Sequence, residues 1–185
     1  MIYDIVKKNR SYRRFTNAPV SDAALRKMVE SARLSASAAN RQRLRFVLVS
    51  DPETSAKIFE CLRFAAFLTE WKGPQPHERA TAYIVVMSEH ELDNNLAIDL
   101  GIAAQSMLLT AAEMGIGGCM FRSYNAARIS QILGRDGYIP HLVIALGIPA
   151  ERVEIVAPKD GDLKYYRDEE DNHLVPKLSL EEIII

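Results

Sequence analysis

An α+β fold, with a central sheet flanked by helices, is what this sequence predicts, and three observations carry the prediction. Stretches with the 3.6-residue period of helices intermingle with short β-branched stretches that read as strands. The two kinds do not keep the strict strand–helix alternation of a parallel α/β sheet. The chain has 185 residues, 48% of them hydrophobic and 25% charged. That is enough for one substantial core and too short for two comfortable ones, so residues 1–185 are expected to form a single domain.

The elements follow in order. Met1 to Asn9 reads as a short helix with Ile2, Ile5 and Val6 on one face. A second helix opens at Val20-Ser21-Asp22 with Ser21 as N-cap, and its apolar residues Leu25, Met28, Val29 and Ala32 repeat at helical spacing. Ser35 to Gln42 is a small, polar loop, and Arg45 to Ser50 a strand. Asp51-Pro52 starts a third helix, since Asp caps and Pro suits the first helical position. Its apolar pattern runs through Ile58, Phe59 and Leu62 and extends toward Leu68. Gly73 to Pro76 is a loop, and Ala80 to Met87 a buried strand. Leu96 to Met114 is a long helix whose small and apolar residues nearly encircle it, so it is expected to be buried on several sides, at the centre of a monomer or the seam of a dimer. Cys119 to Phe121 and His141 to Leu146 are strands, separated by a helix capped by Asn125 and ended by Gly134. Ser179-x-x-Glu182 is a capping box near the end. Arg167 to Asp171 reads as a solvated turn.

Several functions are excluded or disfavoured at this level. The net charge is −1, which argues against general affinity for nucleic acid or anionic membrane. Cys61 and Cys119 show no CxxC spacing, and the four histidines lack metal-ligand spacing, so neither a disulfide scaffold nor a metal site is expected. Lys7, Lys8 and Arg10 interrupt the N-terminal apolar stretch, and no uninterrupted apolar run approaches the ~18 residues of a membrane span. A cytoplasmic location is the expectation. No GxSxG, P-loop or GxGxxG fingerprint is present, and no acid/base carboxylate pair stands out. Asp99, inside an apolar helix, is expected to have a hydrogen-bond partner and a structural role.

Three segments can carry chemistry. Lys7 to Arg14 packs five cations into eight residues. Guanidinium forks and the Ser11 hydroxyl suit a phosphate; a solvated basic face explains the run equally well, and a nucleic-acid patch less well. In Ser35 to Gln42, small residues permit close backbone approach, and Asn40 and Gln42 can each donate and accept at a heterocycle edge; a plain polar loop is the simpler reading. Gly115-Ile116-Gly117-Gly118-Cys119 can present a backbone N–H, or it can simply end a helix and turn. Cys119 has no activating neighbour in sequence and reads as core.

Taken in order, the R-S-x-R segment at Arg10 to Arg13, S-x-x-N-x-Q at Ser37 to Gln42, and the long Ala-rich helix ending in G-x-G-x-C resemble the FMN-dependent nitroreductase family. The Lys164-Tyr165-Tyr166-Arg167-Asp168 tail, with His173-Leu174-Val175-Pro176-Lys177 and Ser179-Leu180-Glu181-Glu182, is similar to a compact subgroup of it. So is Trp71-Lys72-Gly73-Pro74 before Glu78-Arg79.

The resemblance implies an intertwined homodimer, built on a mixed or antiparallel sheet, with FMN at the subunit interface. It places Arg10 and Ser11 on the phosphate and ribityl chain and Arg13 near the pyrimidine side of the ring. Ser37, Ala38, Asn40 and Gln42 would reach the flavin of the partner subunit, and Gly117 and Gly118 would pass close to N5. Arg167 would be a second phosphate ligand, standing in for the family arginine that is Asn9 here. Phe64, Phe67 and Trp71 are candidate substrate-pocket residues, although their spacing also suits core. NADH or NADPH would be the electron donor, and a nitroaromatic, quinone or related small molecule the acceptor. Other flavin chemistry on the same scaffold (dehydrogenation, dehalogenation, flavin breakdown) and a non-enzymatic nucleotide- or nucleic-acid-binding role for the N-terminal basic patch are the alternatives. Arg43-Leu44 replaces the family's Pro-Trp, which bears on substrate preference.

Overall fold

The computed structural model describes residues 1–68 and 70–185. Four strands form the central sheet: β1 (Arg45–Val49), β2 (Ala82–Ser88), β3 (Gly117–Phe121) and β4 (Ile139–Gly147), in the order β1-β2-β4-β3. Every neighbouring pair is antiparallel. Alternation sorts their side chains onto two faces. Ala82, Ile84, Val86, Leu142, Ile144 and Leu146 face one core, with α2 (Asp22–Leu34) and α4 (Asn94–Glu113). Tyr83, Val85, Met87, Val143 and Ala145 face the other, with Ile58 of α3 (Pro52–Phe59) and Ile129 of α5 (Ala126–Leu133). With both faces covered, β2 is buried at every position, which is why it reads as an unbroken apolar run.

The caps predicted from sequence are in place. Ser21, Asp51 and Asn125 accept from Ala24, Thr54 and Arg128 backbone N–H groups, and Gly134 ends α5 at φ 55 in the left-handed region. Three expectations are corrected. The third helix stops at Phe59 instead of running toward Leu68, because the chain turns through Glu60 to Leu62 and Ala65 adopts φ 40. The long helix is not surrounded. It buries Leu96, Leu100, Ala103, Ala104, Met107, Leu108 and Ala111, while Ile98 is 61% exposed and Ile102 37%. By length and composition α4 is also apolar enough to cross a membrane, although Asp99 and Gln105 interrupt its apolar run. Its buried face packs on the sheet and on α2.

The third correction concerns the tail. It forms a second, three-stranded sheet from β5 (Val153–Val156), β6 (Tyr166–Arg167) and β7 (His173–Pro176), with β5 parallel and β6 antiparallel to β7. Arg167 is therefore a strand residue rather than part of a solvated turn. A short α6 (Leu180–Ile183) follows, opened by the Ser179–Glu182 capping box. At the other end α1 (Ile2–Lys8) contacts α4, and Asn9 Nδ2 reaches Gln105 Oε1 at 3.4 Å.

Candidate functional site

The basic segment after α1 is held extended by the backbone. Tyr12 N–H donates to Gly118 O at 3.1 Å, Thr16 N–H to Ile148 O at 2.8 Å, and Ala150 N–H returns to Arg14 O at 3.0 Å. Glu151, whose side chain is 2% exposed, accepts from the backbone N–H of both Arg13 and Arg14. Pinned this way, the segment forms one wall of a cleft of about 270 Å³. Arg10, Ser11, Arg13, Gly118, Gln105, Tyr165, His173 and Lys177 line it. Four residues expected at a cofactor site, Arg10, Ser11, Arg13 and Gly118, thus converge.

The cations of this region divide into two groups. Arg14 and Arg167 are engaged in ion pairs. Arg14 bridges Asp171 and lies 3.6 Å from Glu78. Arg167 donates to Glu151 Oε2 at 2.6 Å and to Asp171 O at 2.8 Å, and both guanidiniums lie over the Trp71 ring. Arg10, Arg13 and Lys177 face the cleft. Arg10 donates to Val6 O at 2.9 Å, and its buried Nε has no partner among the described residues. The structure places Lys177, not Arg167, on the cleft wall.

Arg13 has a defined support. Its Nη1 lies 3.2 Å from Nε2 of His173, and its guanidinium sits 4.9 Å from the Tyr165 ring centre. A guanidinium can only donate, so the imidazole accepts and is neutral. Burial first, and the Arg13 charge second, push His173 down to about 4. His173 is 1% exposed, and its Nδ1 has no partner among the described residues.

The S-x-x-N-x-Q loop lies elsewhere. Ser37 and Gln42 line a separate cleft of about 270 Å³, with Ala32, Leu44, Phe46, Asp99 and Ala103. The loop makes a 3-10 turn at Ala38–Asn40, with Ala39, Asn40 and Gln42 at φ 50, 52 and 50. For residues other than glycine this left-handed region is strained. Side chains help hold it: Asp99 Oδ1 accepts from Ala38 N–H at 2.8 Å, and Ser37 Oγ from Gln42 N–H at 3.4 Å, beside the turn bonds Asn40 N–H to Ser37 O at 3.0 Å and Arg41 N–H to Ala38 O at 3.1 Å. Asp99 thus has the partner its burial demands. At 100° per residue, Asp99 and Ala103 point roughly 170° away from Gln105 and Leu108 of the basic cleft. The two sets of residues therefore occupy opposite sides of α4 within one chain.

The glycines have a packing reason of their own. A Cβ on Gly117 would stand 2.6 Å from the Tyr12 ring, and one on Gly118 2.5 Å from Leu108. Cys119 is buried, which pushes its thiol up to about 11 and fits its reading as core. The three aromatic candidates separate. Phe64 packs among Phe59, Trp71 and Phe121, with ring centres 5.0–5.8 Å away. Trp71 is covered by the two engaged arginines. Phe67 is exposed and meets Tyr165, a cleft residue, edge-on at 5.2 Å. Sequence reasoning assigned no site role to Lys177, His173, Tyr165 or Glu151. The first three stood in the quoted tail motif without roles, and Glu151 carries no sequence signal at all.

Similarity to known proteins adds to this geometry. Residues 6–148 match the sequence profile of the nitroreductase family. An NADPH-dependent oxidoreductase of Staphylococcus aureus is 25% identical over 175 residues, covering 81% of this chain and 65% of that protein. One from Staphylococcus haemolyticus is 26% identical over 183 residues, covering 85% and 68%. The chain thus spans about two thirds of the length of the curated relatives it matches. A nitroreductase family protein of Streptococcus pneumoniae has a similar fold, with a TM-score of 0.71 at 18% identity over 100% of this chain and 99% of that one. A Desulfovibrio desulfuricans nitroreductase solved in complex with FMN gives 0.71 at 22% identity, covering 100% and 95%. The fold and the profile define the class, the α+β proteins of nitroreductase-like fold. Within it, the chain belongs to the nitroreductase family.

Proposed function

We propose that this chain is an FMN-dependent oxidoreductase, working as a homodimer, that takes a hydride from NADH or NADPH and passes electrons to a small acceptor such as a nitroaromatic or quinone. The observation that carries the reading is the basic cleft. Three cations, the Ser11 hydroxyl and an unpartnered Arg10 Nε converge there, a donor set that fits a phosphate-bearing cofactor. The names of the staphylococcal relatives favour NADPH as donor.

When bound, FMN supplies the hydride-accepting and hydride-donating centre. The chain's residues do the rest. Arg10, Ser11 and Lys177 would hold the phosphate and ribityl chain, with Lys177 supplying the charge missing at Asn9. Arg13, held by neutral His173 and the Tyr165 face, would place a fixed positive charge beside the ring, where reduction builds negative charge. Ser37, Ala38, Asn40 and Gln42 would complete the site from a second copy. The exposed Ile98, Gly101 and Ile102 strip of α4 suits the seam. Phe67 would border the acceptor side.

The test is an absorbance spectrum of the purified protein, with extraction of its flavin, followed by anaerobic addition of NADH or NADPH. A flavin spectrum that bleaches with either nucleotide is expected. A colourless protein with no affinity for added FMN overturns the proposal. Sedimentation should give twice the chain mass, and Ile98→Glu with Ile102→Glu should halve it. Arg13→Ala should weaken FMN retention or slow flavin reduction, and no change in either would remove Arg13 from its role.

A further inference from the structure

A second hollow lies away from both clefts, with a volume of about 360 Å³, at the low end of small-molecule sites. Its apolar walls are Pro19, Pro52, Ala56, Phe59, Pro76 and Ala80. Arg79 lines it too, with its guanidinium 4.0 Å from the Phe59 ring centre. Two polar groups there are unused. Ser55 is 6% exposed and its Oγ has no hydrogen-bond partner among the described residues. The buried Nε of Arg79 has none either. Glu78, the adjacent carboxylate, lies 3.6 Å from Arg14. The Tyr83 hydroxyl also borders the hollow. Burial raises its pKa and the Arg79 charge opposes that rise, so it stays a neutral hydrogen-bonding group.

Among the described residues no carboxylate lines this hollow, and Arg79 is its one cation. A buried guanidinium Nε and a buried hydroxyl without partners are costly unless a ligand or solvent satisfies them. One guanidinium balances one negative charge, and its planar fork matches a carboxylate. A phosphate dianion would call for a second cation. The apolar walls, with an aromatic ring beneath the guanidinium, suit a flat hydrocarbon body. We infer that the Ser55–Arg79–Tyr83 hollow is a binding site for a small aromatic monocarboxylate, separate from the basic cleft. Arg79 grips the carboxylate, Ser55 and Tyr83 donate to it, and the ring of the ligand rests among Phe59 and the prolines.

The experiment is amide chemical-shift mapping on the full chain, with bound flavin if it purifies with any. It is titrated with benzoate, with the neutral isostere benzamide, and with inorganic phosphate. Benzoate should give saturable shifts at Ser55, Thr81 and Tyr83, and benzamide and phosphate should bind at least tenfold more weakly. Arg79→Met should weaken benzoate binding at these amides tenfold or more. Ala56→Phe, at an exposed helix position, should fill the hollow and abolish binding without touching Arg79; dispersed spectra confirm that each variant is folded. Benzoate shifts confined to Arg13 and Gly118, binding unchanged by either variant, or phosphate binding as well as benzoate would each overturn the assignment. None of these outcomes depends on whether FMN occupies the basic cleft.

Discussion

On one side of α4 a cleft is walled by cations, and its frame is ionic. On the other side a cleft is rimmed by a strained loop, and its frame is a set of hydrogen bonds. In the basic cleft, buried Glu151 ties the N-terminal segment to Arg167 of β6, so residues more than a hundred positions apart share one carboxylate. In the loop cleft, Asp99 and Ser37 hold three left-handed residues. The difference teaches how each binding surface is kept rigid. Positive side chains that must not pair internally need other ions to absorb the local charge. A loop offering backbone and amide groups needs only its conformation fixed.

The comparison can be broken most sharply at Glu151. Glu151→Ala removes three contacts and leaves the nearly buried Arg167 with only exposed Asp171 to pair with. Loss of one member of a buried pair typically costs about 3–5 kcal/mol, and a urea midpoint lowered to match is expected. A midpoint within error of wild type would mean the frame is not ionic. Asp99→Ala should cost less, about 1–3 kcal/mol, because one buried backbone donor is orphaned. Faster hydrogen exchange confined to residues 37–42 should accompany it; uniform exchange along the chain would show a general loss of packing instead.

His173 gives a third, pH-dependent contrast. Its pKa falls from 6.5 in the unfolded chain to about 4 in the fold. Arg13 and Arg167 oppose its protonation and Glu151 favours it. Between those values the unfolded chain binds one more proton, so stability falls as pH falls from about 6.5 to 4, and the loss is complete below that. Unfolding midpoints across this window should slope for the wild type and flatten for His173→Gln. An unchanged slope would remove His173 from the account. The smallest effect is expected at Ala39. Ala39→Gly relieves left-handed strain but loosens the unfolded chain, so the net change should be under about 1 kcal/mol. A large destabilisation would show that Ala39 contributes contacts rather than strain.

These two regions were unequally legible in the sequence. Local rules found Ser21, Asp51, Asn125 and the Ser179–Glu182 box, because a cap is a matter of three or four neighbours. They placed the sheet strands, whose apolar runs reflect burial on both faces. They failed where long-range contacts decide. The apolar spacing of Leu62 and Leu68 mimics a helix, yet Phe64 turns instead into a cluster with Phe59, Trp71 and Phe121. The tail strands are two to four residues long and depend on pairing with each other and on distant partners such as Glu151 and Arg13. Arg10, Ser11 and Arg13 could be named because their spacing is local. Lys177 and His173 reach the same cleft through the β5–β7 pairing, which no window along the chain reveals.

That pairing also sets an order of events during synthesis. The N-terminal segment emerges first, but its Arg13 and Arg14 backbone donors have no acceptor until Glu151 is made. His173 and Lys177 come later still, and they reach the cleft only after β7 has closed against β5. Chains generally fold from the N-terminus as they are made. Here the central sheet can assemble on the ribosome while its basic cleft stays unfinished. Capture of any ligand by that cleft is therefore a late step, taken only once residues through Lys177 have been made.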